Sequence, residues 1–469
     1  MRYTLTLLED HLKELKKLIL HPDRNERPAI LLCGVSNNAN DPWDGGLEVR
    51  FLSKEVIEIP DTEILKHNEI QVTWDTTCFR KAMKRAKDEG LAICLVHSHP
   101  EGCINFSDLD DINERSLFES IHKRNGNSIS NLSLLITADG HLSARACSVQ
   151  LKYSEIELIR VLGDRFSFFY KGKYTFQTRE EFSRQALALG PALNADLSRL
   201  RIAVIGCGAT GSATAHLLAR LGVGHLLLID NDLVERSNLS RLYGARTADA
   251  DLGAFKSQVL ASYLANIGMG CRVRHYTSWV GDEACRNPIK SCDIVFSCTD
   301  DNSGRIFLNR LAYFYLLPVF DMGISIDPLL TPDIGIRAAQ GRFTVLQPHN
   351  ACLICRHVVN HQLAREEELK RTDPDGFERL KQEAYVIGMG NPSPAVITFT
   401  SEVATMSVNE LINRLTGFKK QGPQHHLVRF FDQGTDRTPS AHGNADCPIC
   451  KSAEYWGRGD ITPFLDQVN

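Results

Sequence analysis

The stretch that most limits the fold is "RIAVIGCGATGSATAHLLARLG", residues 201–222. An apolar strand-like run leads into Gly206, Gly208 and Gly211, spaced G-x-G-x-x-G, and a helix-like run follows. Glycines at this spacing allow a tight turn and close backbone approach, and the helix N-terminus behind them favours phosphate. From Arg201 onward strands and helices alternate: "RIAVIG", a helix, "HLLLID", a helix from Ala254, "CDIVFSCTD", another helix, then "LPVFDMGIS". That order predicts a doubly wound α/β domain with a parallel sheet. Asp230, ending the second strand, is placed to bind ribose hydroxyls. Taken alone, the pattern fits an NAD-dependent dehydrogenase as well as other nucleotide-binding proteins.

The chain is 469 residues long, too long for one ordinary core, and implies two or three domains. Hydrophobic residues at 43% and charged residues at 23% belong to a soluble globular protein. A net charge of -4 argues against nucleic acid as a partner. No run approaches the ~20 apolar residues that cross a membrane. The first residues, "MRYTLTLLEDHLKELKKLIL", read as an amphipathic helix and not as a signal peptide. With 14 cysteines and no export signal, a reducing cytoplasmic compartment is expected, so metal binding or burial outranks disulfides.

Residues 1–150 mix strand candidates ("PAILLCGV", "IQVTWD", "LAICLVHSH", "LSLLITAD") with helices through 77–88 and 107–123. Residues 151–180, including "SEIELIRVLGDRFSFFY" from Ser154, read as a helical connecting segment. His97 and His99 end a strand at i and i+2, so both project from one face. Two imidazoles on one face begin a zinc site, and Asp110 can supply a third ligand. Ser107 and Asp110 also read as a capping box at a helix start, and capping there would fix where Asp110 points.

"HSHPEGCINFSDLD" resembles the signature of the JAMM (JAB/MPN) metalloproteases: H-S/T-H, seven residues, S-x-x-D. The resemblance implies that His97, His99 and Asp110 bind a catalytic zinc and that Glu26, just before the apolar strand, acts as base. Ser107 would help hold the water or the oxyanion, and Glu48 in "GGLEVRF" is the fallback base. Zinc lowers the pKa of a bound water to ~7, and a nearby carboxylate can carry the proton to the leaving amine.

In the second half, "IDNDLVERSNLSRLYGA" resembles the D-x-D-x-V-x-x-S-N-L-x-R segment of the ThiF/MoeB and ubiquitin-activating enzymes. The likeness runs from "FSRQALALGPALNADLSRLRIAVIG" through "GAFKSQ" and "SCTDDNSGR" to "MSVNELINRLTGF". It implies ATP and magnesium as cofactors. Carried over, Asp230 takes the ribose, Asp232 and Asn238 lie by the nucleotide, and Arg241 and Lys256 contact the triphosphate. Asp300 positions magnesium, and Arg184 reaches the phosphates of the partner subunit in a homodimer. Attack on an α-phosphorus needs this much positive charge, whereas hydride transfer does not. Cys352, Cys355, Cys447 and Cys450 form two C-x-x-C pairs suited to a closed structural zinc site. One departure stands out: the family's thioester cysteine lies in a crossover loop, and "RLKQEAYVIGMGNPSPAV" here holds none. Cys285, Cys292 and Cys298 read as packing residues, so the expected product is the acyl-adenylate.

The resulting expectation is an N-terminal JAMM-type α/β domain (residues 1–150), a connecting segment, and a Rossmann-like doubly wound ThiF domain (181–460) with a four-cysteine zinc site. It would adenylate the C-terminal glycine of a ubiquitin-like or sulfur-carrier protein and process the same protein by zinc-dependent cleavage. The setting would be a bacterial ubiquitin-like modification operon of antiviral defence, with a conjugating enzyme as further partner. Sulfur-carrier activation for cofactor or natural-product biosynthesis is the alternative, and a catalytically idle scaffold a third reading.

Overall fold

The computed structural model describes residues 1–68, 72–100, 102–126, 128–172, 179–330, 334–382, 394–440, 443–462 and 464–466. They divide into two compact units. The first comprises Met1–Asn40, Gly46–Thr175 and Glu454–Phe464; the second comprises Asp41–Gly45, Phe176–Ala453 and Leu465–Asn469. Among the described residues, no helix is long and apolar enough to cross a membrane.

The strands of the first unit are β1 (Arg2–Leu8), β2 (Pro28–Asn38), β3 (Glu48–Glu58), β4 (Ile64–His67), β5 (Val72–Trp74), β6 (Ala92–His99), β7 (Asn131–Thr137), β8 (Leu142–Cys147), β9 (Tyr153–Glu155), β10 (Leu158–Leu162) and β11 (Phe166–Tyr170). Nine of them form one sheet in the order β11-β10-β1-β3-β2-β6-β7-β8-β9, while β4 and β5 pair separately. Side chains alternate across this sheet, as the two-residue strand period requires. Ala29, Leu31 and Cys33 of β2 join Ala92, Cys94 and Val96 of β6 in a core with Leu12, Leu15 and Ile19 of the helix Glu9–Ile19. Ile30, Leu32, Ile93 and Leu95 face the opposite way, against Phe79, Met83 and Phe118 of the helices Thr77–Glu89 and Asp108–Asn125. His97 and His99 continue the second series, which turns both imidazoles toward the helix that carries Asp110.

Two expectations about secondary structure fail in this unit. The first residues are not one amphipathic helix, because Arg2–Leu8 is strand and the helix starts only at Glu9. "RYTLTLL" alternates, and Thr4 and Thr6 are as buried as Leu5 and Leu7, so two-sided burial outweighs the helical period of the leucines. The segment 151–170 is likewise strand and not helix. Its aromatic and β-branched residues add β10 in parallel to the edge of β1, and β11 folds back antiparallel on β10.

Glu48 fails as a base. Pro28 pairs with His97 at one end of β2 and Asn38 pairs with Glu48 at the other, a separation of roughly 30 Å along the strand. The Glu48 carboxylate is buried, accepts a 2.8 Å hydrogen bond from Thr4, and lies 3.4 Å from Arg50 and 3.7 Å from Arg160. Burial opposes its charge, yet Arg50, Arg160 and Arg2 together hold it at about 2.

In the second unit, β12 (Arg201–Ile205), β13 (His225–Ile229), β14 (Arg272–Tyr276), β15 (Ile294–Ser297), β16 (Val319–Leu330), β17 (Ile334–Leu346), β18 (His426–Phe430) and β19 (Thr435–Arg437) form a sheet. Its order is β14-β13-β12-β15-β16-β17-β18-β19. The first five are parallel and the last three antiparallel. Strand order reverses between β12 and β15, the place where doubly wound sheets open a crevice for ligand. The long helix Ile397–Thr416 packs on Ala209–Arg220, which follows the glycine loop.

The arginine cluster gives a direct test of the first unit. Glu48→Ala takes a carboxylate away from the buried guanidinium groups of Arg50 and Arg160. Loss of one partner from a buried ion pair costs about 3–5 kcal/mol, so the variant should be less stable to denaturant by that amount.

Candidate functional site

The glycine loop follows β12, and each glycine has a distinct spatial reason. Gly206 has φ +85°, and a Cβ there would lie 2.8 Å from the backbone of Cys298 and Thr299. A Cβ on Gly211 would meet the Gly206 carbonyl oxygen at 1.8 Å. Around Gly208 nothing lies within 4 Å of that position. Two glycines therefore close the loop onto β15 and the helix, and the middle one leaves its backbone open to an approaching group.

Asp230 fastens this loop to the next strand. Its carboxylate accepts hydrogen bonds from the amides of Cys207 (2.5 Å) and Asp232 (2.8 Å). Burial lifts it to about 6, with Lys256 and the two amides opposing. Each carboxylate oxygen keeps a further lone pair for a hydroxyl donor. Lys256 opens the helix Lys256–Asn266 and donates to Asp232 at 2.7 Å. Burial opposes its charge, but Asp232, Asp230 and Asp300 hold the ammonium above its usual value. Asp300 itself is exposed after β15 and makes no hydrogen bond among the described residues.

Asn238 and Arg241 share the turn after Asp232. Asn238 is 9% exposed, and its Oδ1 is buried with no hydrogen-bond partner among the described residues. Arg241 is half-buried and donates to the Ser237 carbonyl at 2.7 Å. Arg184 stands exposed on the helix Ser183–Leu189 and makes no hydrogen bond or ion pair among the described residues.

The sequence reading passed over Asp301. This residue caps the helix Asn302–Phe314, accepting from the Gly304 amide at 2.7 Å, and also accepts from Trp279 Nε1 at 3.1 Å. An aspartate opening "DNSG" is an N-cap signal, and it is masked by Asp300, the neighbour that carries the family motif.

The cysteine pairs converge. Cys352 and Cys447 sulfurs are 3.8 Å apart, Cys355 and Cys450 sulfurs 3.6 Å, and all four lie within 4.8 Å of one another. Tetrahedral zinc with Zn–S near 2.3 Å places its sulfurs about 3.8 Å apart, so the set fits that ion. Hydrogen bonding with Cys450 draws the Cys352 thiol below its usual value, while Cys355 and Cys450 are pushed up, as when protons are shared among neighbouring sulfurs. The Asn444 amide donates to the Cys355 sulfur at 3.3 Å.

In the first unit, His97, His99 and Asp110 also form a group that can hold a metal. His97 Nε2 lies 3.3 Å from Asp110 Oδ1, and His99 Nε2 lies 3.5 Å from Asp110 Oδ2. These match the roughly 3.3 Å ligand separations of tetrahedral zinc with bonds near 2.0 Å. His97 Nε2 is buried without a hydrogen-bond partner among the described residues. His99 Nδ1 lies 3.0 Å from the Cys103 carbonyl; donation there leaves Nε2 free for a metal. Ser107 caps its helix, and both its amide (2.7 Å) and its hydroxyl (2.8 Å) donate to Asp110 Oδ2, so the box aims that carboxylate. Cys103 contributes its carbonyl and not its thiol.

Glu26 lies 3.7 Å from His99 Nε2 and is 5% exposed. Burial lifts its carboxyl to about 7, against the pull of His97 and His99. A narrow cleft runs from Glu26, His97 and Asp110 to the apolar side chains Trp74, Leu95 and Leu117.

The ThiF family model matches residues 182–449, more than half of the chain. Among curated proteins, the SAMP-activating enzyme E1 of Haloferax volcanii is 26% identical over 178 residues, covering 38% of this chain and 61% of that protein. The ubiquitin-like modifier-activating enzyme 5 of Culex quinquefasciatus is 27% identical over 227 residues, covering 44% and 54%. The adenylyltransferase and sulfurtransferase MOCS3 of Mus musculus is 32% identical over 132 residues, covering 27% and 28%. The chain thus spans less than two thirds of the length of these relatives. Among solved structures, E. coli MccB with ATP aligns at 17% identity and a TM-score of 0.44, covering 58% of this chain and 75% of that one. On the family match across its second unit, the chain belongs to the ThiF family.

Proposed function

We propose that the second unit adenylates the C-terminal carboxylate of a ubiquitin-like or sulfur-carrier protein. The observation that carries this reading is the open glycine loop set beside Asp230, Lys256 and Asp300 within a ThiF-family match. The partner's carboxylate oxygen attacks the α-phosphorus of ATP, a P–O bond to the β-phosphate breaks, and pyrophosphate leaves. Asp230 accepts from the ribose hydroxyls, and Lys256 and Arg241 neutralise charge on the phosphates. Asn238 Oδ1 accepts a donor from the nucleotide, and Arg184 reaches the phosphates held by a second copy. Asp300 is the exposed carboxylate offered to magnesium.

The product is the acyl-adenylate. Every one of the 14 cysteines is described, and in this unit Cys207, Cys285 and Cys292 are buried. Burial pushes the thiols of Cys271 and Cys285 up to about 12, and raises those of Cys207 and Cys298 as well. The remaining four sulfurs form the zinc-suited cluster. Most of the crossover stretch, residues 383–393, lies outside the described residues. By name, the relatives divide between modifier activation and a combined adenylyl and sulfur transfer.

The first unit is proposed to be a JAMM-type peptidase acting on the same partner, with His97, His99 and Asp110 holding zinc and Glu26 as base. A zinc ion there supplies Lewis acidity to a water or the scissile carbonyl. Glu26 takes a proton from the attacking water and returns it to the leaving amine, and Ser107 keeps Asp110 aimed. The supporting observation is the convergence of these residues from a loop, a strand end and a capped helix.

Three outcomes test these proposals. Pyrophosphate exchange into ATP should require a ubiquitin-like or sulfur-carrier protein and should fall at least about 100-fold in Asp300→Ala; exchange without any such protein contradicts the reading. Cleavage of a peptide extension from that partner should be lost in Glu26→Gln while metal analysis still finds zinc in the first unit; retained cleavage removes Glu26 as base. Cys352→Ser should lower the zinc content by one ion per chain without changing the zinc that His97→Ala removes, and an unchanged content in both variants refutes the two assignments.

A further inference from the structure

Asp300 stands exposed on a short loop, and its side chain makes no hydrogen bond among the described residues. Its neighbour Asp301 is heavily engaged. Oδ2 accepts from the Gly304 amide at 2.7 Å, Trp279 Nε1 at 3.1 Å and the Ser303 hydroxyl at 3.2 Å, while Oδ1 accepts from the Thr299 hydroxyl. Asp301 therefore has little left to offer a cation, and its bonds fix the backbone on which Asp300 is displayed.

The indole that donates to Asp301 is itself held on both sides. Trp279 packs on Phe307, with ring centroids 6.1 Å apart, and the Arg371 guanidinium lies 3.5 Å from the centre of its ring. Arg371 also donates to the Ser303 hydroxyl at 3.3 Å. One turn earlier on the same helix, His361–Thr372, Glu367 accepts from the Ser303 amide at 2.8 Å and from Asn302 Nδ2 at 3.0 Å. Two side chains four residues apart thus grip the first turn of the helix Asn302–Phe314, and a carboxylate at a helix N-terminus is favourable in itself. These polar contacts all end at the loop Thr299–Ser303.

We infer that Trp279 and Arg371 are positioning residues that hold Asp301, and through it Asp300, in the arrangement that receives magnesium-bound ATP. The inference rests on the role proposed above for Asp300. A carboxylate on an unrestrained loop loses conformational freedom when it binds a cation, and the Trp279–Asp301 bond removes that cost beforehand.

The test is calorimetric binding of ATP to the full chain, with and without magnesium. Trp279→Phe keeps a ring for Arg371 and Phe307 but deletes the donor to Asp301; Thr299→Val deletes a different donor to the same carboxylate. Each should weaken magnesium-dependent ATP binding at least about tenfold, the worth of one hydrogen bond to a charged group. Each should leave magnesium-free binding unchanged, a split that general loosening of the fold would not produce. If Asp300→Ala loses the magnesium effect while both donor variants bind as the parent does, the positioning role is refuted. If the parent itself gains nothing from magnesium, the role of Asp300 falls first.

Discussion

The second unit depends on a contact that no side chain permits. Gly211 lies so close to the Gly206 carbonyl, and Gly206 so close to the strand end at Cys298, that a methyl group at either place would overlap backbone. Because β12, the turn and the helix approach this closely, the Cys207 amide reaches Asp230 on the segment leaving β13. Asp230 then holds the Asp232 amide, and Asp232 holds Lys256. Positive and negative groups are thereby gathered around a stretch of open backbone at Gly208. A buried carboxylate and a half-buried ammonium are expensive individually, and each is tolerated here because the other stands near it.

The first unit rests on a simpler rule. With side chains alternating on β6, Ile93 and Leu95 fix the face on which His97 and His99 must emerge. That face carries the helix starting at Asp108, and the capping bonds of Ser107 set the direction of Asp110. A capped helix and a metal-suited cluster are here one arrangement, since the bonds that satisfy the helix end also orient the ligand.

Much of this was legible from residue spacing. The i, i+2 histidines, the capping box, the glycine triplet and the two C-x-x-C pairs are local patterns, and local geometry decides where their side chains go. Glu48 was not legible, because its neighbours Thr4, Arg50 and Arg160 come from three strands, two of them distant in sequence. The strands at 158–170 were misread because their reason for forming is the free edge of β1, supplied by residues some 150 positions earlier. Trp279 and Arg371 were invisible for the same cause: a cation resting on an indole joins a loop to a helix far along the chain. The Asp301 cap was readable, yet its neighbour drew the functional reading.

The central claim is that the glycine loop of the second unit serves a triphosphate for adenylation and not a dinucleotide for hydride transfer. Equilibrium binding of ATP and NAD to the full chain, measured in competition with magnesium present, tests it most directly. Saturable ATP binding that NAD does not displace is expected; displacement of ATP by NAD overturns the triphosphate reading.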